Sequence, residues 1–160
     1  MTQKTSYARR AILAFSSAFG LGYMPVAPGT FGTLLALPLW WLCRDLSLPY
    51  FVLGVLALIV FSVWISSRAE AYYGGHDVQH IVIDEVAGML VTLIGVPFRW
   101  PELLVAFVLF RLLDALKPFP IGWVDEHVDG GLGVVMDDVV AGVLGCIMLH
   151  IGSFVLGGWW

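Results

Sequence analysis

The chain has 160 residues, of which 59% are apolar and only 12% charged, with a mean hydropathy of +0.89 and a formal net charge of −4. Soluble domains run at about 45–50% apolar and about 25% charged, so a small water-soluble globule cannot hide this much apolar surface, and the bilayer is the expected solvent. The acidic balance, with no basic stripe, excludes a nucleic-acid binder.

The first stretch, KTSYARRAILAFSSAFGLG, sets basic residues before an apolar run, as a signal peptide does. No A-x-A site follows, and Ser16, Ser17 and Gly20 interrupt the apolar part. A short interfacial helix anchored by Arg9 and Arg10 is therefore expected. GLGYMPVAPGTFGT, residues 20–33, is dense in Gly and Pro and predicts an ordered loop with a helix start at Thr30.

A first apolar span covers 31–43 and contains Pro38. It is short, so it tilts, thins the bilayer or is re-entrant. Residues 46–67 carry no charge over 22 positions, and about 20 residues suffice to cross. After a polar stretch, 68–80, a third span runs from near Val78 to Phe98. A tight turn at 99–102 leads to a fourth helix, ELLVAFVLFRLLDAL, which Pro118 and Pro120 end. A second polar loop, 117–136, precedes a last span, and residues 139–160 lack Asp, Glu, Lys and Arg. The prediction is one all-α domain, 1–160: a polytopic integral membrane protein with about four to five transmembrane helices plus the amino-terminal interfacial helix.

The cations orient this arrangement. With the amino terminus inside, Lys4, Arg9, Arg10, Arg68, Arg111 and Lys117 are cytoplasmic and only Arg44 and Arg99 are outside, 6 against 2. The acids divide 10 to 2 the same way. Acidic residues do not govern topology, so their asymmetry points to a site.

Two acidic pairs stand at the start of apolar segments. IVIDEVAGML, 81–90, and VVMDDVVAGVL, 134–144, share three apolar residues, two acids, valine, then Ala-Gly, 53 residues apart. Gly88 and Gly142 let two such helices approach closely. Packed together, they bring Asp84, Glu85, Asp137 and Asp138 near one another. Crowded carboxylates repel, and a divalent cation with oxygen ligands, Mg²⁺ above all, resolves the repulsion and bridges to phosphate.

On the fourth helix Arg111, Asp114 and Lys117 share a face at three-residue spacing. An Arg fork and a Lys point charge suit phosphate oxygens. The Gly-Pro loop can present backbone N–H groups, that of Gly29 among them, and Thr30 to an anion at a helix start.

Other motifs carry less. Cys43 and Cys146 have no metal or disulfide spacing and read as packing residues. His76, Asp77 and His80 lack a third zinc ligand at metal spacing and read as polar loop. His150 is alone in a span.

The stretches GLGYMPVAPGTFGT, HDVQHIVIDEVAGM and FRLLDALKPFPIGWVDEHVDGGLGVVMDDVVAG resemble the three signature blocks of the bacterial phosphatidylglycerophosphatase A family. The resemblance runs from about Gly20 to about Gly145. It implies an all-helical, Mg²⁺-dependent phosphatase of the bacterial inner membrane that converts phosphatidylglycerophosphate to phosphatidylglycerol and inorganic phosphate. Carried over by position are Asp84, Glu85, Asp114, Asp137 and Asp138, with Arg111, Lys117, Thr30 and the pair Gly130 and Gly131. His127 and Asp129 depart from the family's pattern and are not carried over.

The expected metal ligands are thus Asp84, Glu85, Asp114, Asp137 and Asp138. Asp84, Asp138, Arg111 and Lys117 are expected to carry the chemistry. Gly29, Thr30, Arg111, Lys117, Gly130 and Gly131 are expected to hold the substrate. Attack by water with a carboxylate as base and attack by an aspartate both remain open. A rival lipid-headgroup transferase would space its acids along helices, DxxDG…GxxxD, whereas here they are adjacent. A rival transporter would place them at the bilayer midplane.

Overall fold

A computed structural model describes residues 2–75 and 78–158, with side chains from residue 7 onward. His76 and Asp77 of the weighed zinc set lie outside the described residues, as does the Lys4 side chain. The described residues form seven α-helices and a 3-10 turn, with no strand. The all-α class is as expected.

The first helix, α1 (Thr2–Ser16), lies along α3 (Leu48–Tyr73), where Ile12 packs with Ile65 and Ala69 and the Arg9 guanidinium sits 5.5 Å from the centroid of the Tyr72 ring. A left-handed run, Ala18, Phe19 and Gly20, ends it and leads to the 3-10 turn Leu21–Tyr23. Helix α2 (Pro28–Leu42) starts at Pro28, two residues before the expected start at Thr30. Proline's fixed φ and missing N–H suit a first helical position.

The 26-residue α3 begins with Pro49 in its first turn and ends at left-handed Gly74. It and α7 (Gly130–Val155, 26 residues) are long and apolar enough to cross a bilayer, the only two such helices among the described residues. Leu53, Leu56 and Val60 point outward from α3, an apolar surface of the kind that meets lipid or another protein.

The expected span over 78–98 takes a different form. Only Ile83–Thr92 is helical, α4, ten residues long. Its start is fixed because the Val82 N–H donates to the Ser16 carbonyl at 2.8 Å, tying the preceding segment to the end of α1. Left-handed Gly95 and Pro97 turn the chain after its end. Every residue of α4 except Glu85 is buried, and it packs against α2, α3, α5 (Trp100–Leu116) and α7. It is thus the central post of the bundle.

The polar loop expected over 117–136 contains a short helix, α6 (Ile121–His127), and the first two turns of α7. Ile121 is buried and moors α6 to the core.

Candidate active site

The site is set by where α4 crosses α7. A Cβ on Gly88 would lie 2.6 Å from the Asp138 carbonyl oxygen, and one on Gly142 would collide with the Gly88 carbonyl oxygen. The backbones therefore touch, as the paired glycines predict. One turn before Gly88 on α4 stand Asp84 and Glu85, and one turn before Gly142 on α7 stand Asp137 and Asp138.

The crossing brings Asp84, Glu85 and Asp138 together, with one carboxylate oxygen of each within 4.8 Å of the other two. Asp84 and Asp138 are 7% and 3% exposed, so water contributes little to their solvation. The Asp84 Oδ1 accepts the Glu85 N–H at 3.0 Å and the Asp137 Oδ1 accepts the Asp138 N–H at 2.9 Å. Glu85 Oε2 is buried with no hydrogen-bond partner among the described residues, a cost of a few kcal/mol for a polar atom left so.

The cations approach from α5. Arg111 Nη1 is 2.5 Å from Asp114 Oδ2 and 3.5 Å from Thr33 Oγ1. Lys117 caps α5 in a left-handed conformation, φ 44°, and its Nζ donates to Asp125 Oδ1 at 2.5 Å and Asp137 Oδ2 at 2.9 Å. Burial alone would lower the Lys117 ammonium, but the bonds and charges of Asp125 and Asp137 raise it above the ordinary lysine range. It stays cationic at neutral pH.

The loop before α2 closes one side. A Cβ on Gly29 would collide with Glu85 Oε1 and come within 3.3 Å of Arg111 Nη1, so a side chain here would push both of these side-chain ends out of their present places. Pro25, Ala27, Pro28, Gly29, Val78, Gln79, Ile81 and Val134 complete a cavity of about 460 Å³ whose remaining wall is Asp84, Glu85, Arg111, Asp114, Lys117, Asp137 and Asp138. Five carboxylates against two cations give the wall a formal charge of −3.

Eight of the expected site residues thus share one cavity: Gly29, Asp84, Glu85, Arg111, Asp114, Lys117, Asp137 and Asp138. Three do not line it. Thr30 is absent from the wall, and the hydroxyl that meets Arg111 is that of Thr33, which also donates to the Gly29 carbonyl at 2.9 Å. Gly131 packs against Ser67 of α3, and Gly130 takes a left-handed turn at the start of α7.

Two contributors escaped the sequence reading. Thr33 sits one turn after Gly29, a spacing at which a threonine bonds back to a helix carbonyl, and that signal was available. Asp125 is brought to Lys117 only by the folding of α6, which no local pattern announces.

The sequence model of the Phosphatidylglycerophosphatase A family matches residues 14–153. A phosphatidylglycerophosphatase A of Escherichia coli K12 is 41% identical over 133 residues, covering 82% of this chain and 77% of that protein. One of Haemophilus influenzae Rd is 35% identical over 133 residues, covering 82% of each. A Bacteroides thetaiotaomicron protein named as a candidate phosphatidylinositol-3-phosphatase is 36% identical over 150 residues, 88% of this chain and 92% of that protein. No solved structure matches significantly.

Proposed function

The chain belongs to the phosphatidylglycerophosphatase A family, and on that footing we propose that it hydrolyses phosphatidylglycerophosphate to phosphatidylglycerol and inorganic phosphate. The observation that carries the proposal is the α4–α7 crossing, which sets Asp84, Glu85 and Asp138 within 4.8 Å beside Arg111 and Lys117. Clustered acids next to an Arg fork and a Lys are what a phosphate monoester requires once a cation offsets the acids.

That cation is Mg²⁺ in this reading, held by Asp84, Glu85 and Asp138, with Asp114 and Asp137 in the same cavity wall as further carboxylate ligands. The residues fit it. All donors are hard oxygens, their spacing suits one ion whose opposite ligands lie about 4.2 Å apart, and the unpartnered Glu85 Oε2 supplies a ready ligand. Bound there, the metal would supply charge neutralisation and polarisation of the phosphoryl group. Arg111 and Lys117 hold the phosphoryl oxygens and offset the charge that gathers on them in the transition state. Asp138 or Asp84 takes the proton of the attacking water.

The phosphatase is a protein of the bacterial inner membrane with its cavity toward the cytoplasm, as the cation asymmetry implies. In this reading α1 lies in the interface, α3 and α7 cross by their own length, the 78–98 segment and α5 cross together with their flanking residues, and the 15-residue α2 either tilts across or re-enters, which gives four to five spans. The ten-residue α4 is too short to cross alone, since about 20 residues are needed. Its irregular flanks are compatible with membrane depth because Ile81, Val82, Leu93 and Val96 are buried within the protein. The lipid's acyl chains then stay in the bilayer while the headgroup reaches the acids.

The test is phosphate release by the purified chain from phosphatidylglycerophosphate, with Mg²⁺ and after chelation, and from phosphatidylinositol 3-phosphate in parallel. Release from the first lipid with Mg²⁺ is expected. No release from it under any condition would end the proposal, and faster release from the inositol lipid would reassign the substrate.

A further inference from the structure

We infer that the groove between α2 and α5 seats one acyl chain of the lipid substrate. The inference rests on the phosphatase reading above and deepens it. Leu34, Leu37, Pro38 and Trp41 of α2 face Trp100 and Leu103 of α5 across a groove of about 420 Å³ with almost no polar surface. Phe98, stacked on Trp40 at 4.8 Å between ring centroids, also lines it.

The same two helices build one side of the acidic cavity. Gly29 on α2 and Arg111 and Asp114 on α5 line the cavity, and Thr33 and Arg111 meet at 3.5 Å between the cavity and the groove. A lipid with its phosphate on Arg111 therefore has the groove directly ahead of its glycerol along the α2–α5 seam.

The depths agree. At about 1.5 Å rise per residue, Leu34 lies about 8 Å along α2 from Gly29 and Trp41 about 18 Å, while Leu103 lies about 12 Å along α5 from Arg111. One leaflet of hydrocarbon is about 15 Å thick, half of about 30 Å. The groove thus covers the depth over which a chain attached to a headgroup in the cavity must run.

A second apolar groove, between α2 and α3, is lined by Leu39, Leu42, Tyr50, Gly54 and Leu58. It does not share this relation, because α3 contributes no residue to the acidic cavity. It serves as the control.

The experiment uses the full chain in mixed micelles with phosphatidylglycerophosphate carrying two long chains and with its dihexanoyl counterpart. Leu34→Trp fills the α2–α5 groove at an exposed position, and Gly54→Trp places the same indole in the α2–α3 groove at a glycine whose added Cβ would meet no atom within 4 Å. Leu34→Trp should raise KM for the long-chain lipid about tenfold, the loss of roughly two methylenes of burial. KM for the dihexanoyl lipid, whose chains reach only the near end of the groove, should rise clearly less, kcat for both should stay within about twofold, and Gly54→Trp should move neither.

Equal changes for both lipids, no change for either, or the same effect from Gly54→Trp would overturn the inference. If Leu34→Trp does not accumulate, Trp41→Ala widens the groove at another exposed position and must alter long-chain KM alone, or the inference falls. Absence of phosphate release by the parent from either lipid would sink the phosphatase reading first, which separates the two failures.

Discussion

Replacing Gly88 with alanine tests whether the α4–α7 crossing sets the geometry of the acids. The added Cβ would sit 2.6 Å from the Asp138 carbonyl oxygen and 2.8 and 2.9 Å from two Phe110 ring atoms. Ordinary contact begins near 3.4 Å, so α4 and α7 must part by about 0.8 Å, the difference of the two distances. The atom struck belongs to Asp138 itself, so the shift reaches the carboxylate cluster without intermediate residues. Overpacking of this kind costs about 1–3 kcal/mol, offset by about 0.5–1 kcal/mol because alanine suits a helix better than glycine. At about 2–4 °C per kcal/mol for a chain of this size, melting should fall by up to about 10 °C. A misplacement near 1 Å should cost about 10²-fold in rate. Gly54→Ala, at an open position on α3, should leave the rate unchanged and hold or raise the melting temperature. The assay is phosphate release beside thermal unfolding in the same detergent. A Gly88→Ala protein that melts lower yet turns over at the parental rate would refute the link between the crossing and the chemistry.

Asp138→Asn keeps the size but loses the charge of one acid, so the rate should fall on the order of 10²-fold or more while the melting temperature holds or rises as repulsion is relieved. Parental rates in both Asp138→Asn and Asp84→Asn would dissolve the shared site. Adding Mg²⁺ at about 100 times its dissociation constant should stabilise the parent by about 2.7 kcal/mol, about 5–11 °C in melting temperature, and Asp84→Asn should lose most of that shift. An unchanged melting curve with Mg²⁺ would take the metal out of the cavity. Asp125→Asn frees one side of Lys117, and a partly exposed ion pair is worth about 0.2–1 kcal/mol, so KM should rise up to about fivefold with kcat nearly constant. A kcat loss without a KM change would give Asp125 another role. For topology, cysteines at Gly75 and Trp100 in a background lacking Cys43 and Cys146 should differ in labelling by an impermeant thiol reagent added outside, with only Trp100→Cys reacting. Equal labelling would reject the orientation.

The acidic pairs were legible because their signal is local. Asp84, Glu85, Asp137 and Asp138 each stand one turn before a glycine in a matched apolar frame, and a helix converts that spacing into a shared face without help from the rest of the fold. Arg111, Asp114 and Lys117 were legible for the same reason. Gly29 was readable only as part of a Gly-Pro loop, since the atom its bare Cα makes room for is Glu85 Oε1 on another helix. The pair Gly130 and Gly131 looked like part of the site because it lies close in sequence to Asp137. The intervening turns of α7 instead carry it to Ser67 of α3. Asp125 depends on α6, whose position is set by the tertiary burial of Ile121.

The length of α4 was the least legible feature, and it has a consequence for the depth of the site. Asp138 lies eight residues beyond Gly130, about 12 Å down α7 from its start. Acids carried two turns into a long helix can meet a partner pair only if the partner presents its own acids at that depth. The short α4 does this by beginning there. Asp84 and Glu85 fall in its first turn, where unpaired backbone N–H groups and the positive end of the helix dipole favour negative charge. Had the helix continued outward to Val78, five residues further, its N-terminus would lie about 8 Å nearer the surface. The four acids would then face one another mid-helix, with no dipole end to offset them. The bond from the Val82 N–H to the Ser16 carbonyl therefore acts at a distance. By stopping α4 at Ile83 it holds a helix terminus beside the acids, and the unwound 78–82 segment leaves Val78, Gln79 and Ile81 to line the cavity.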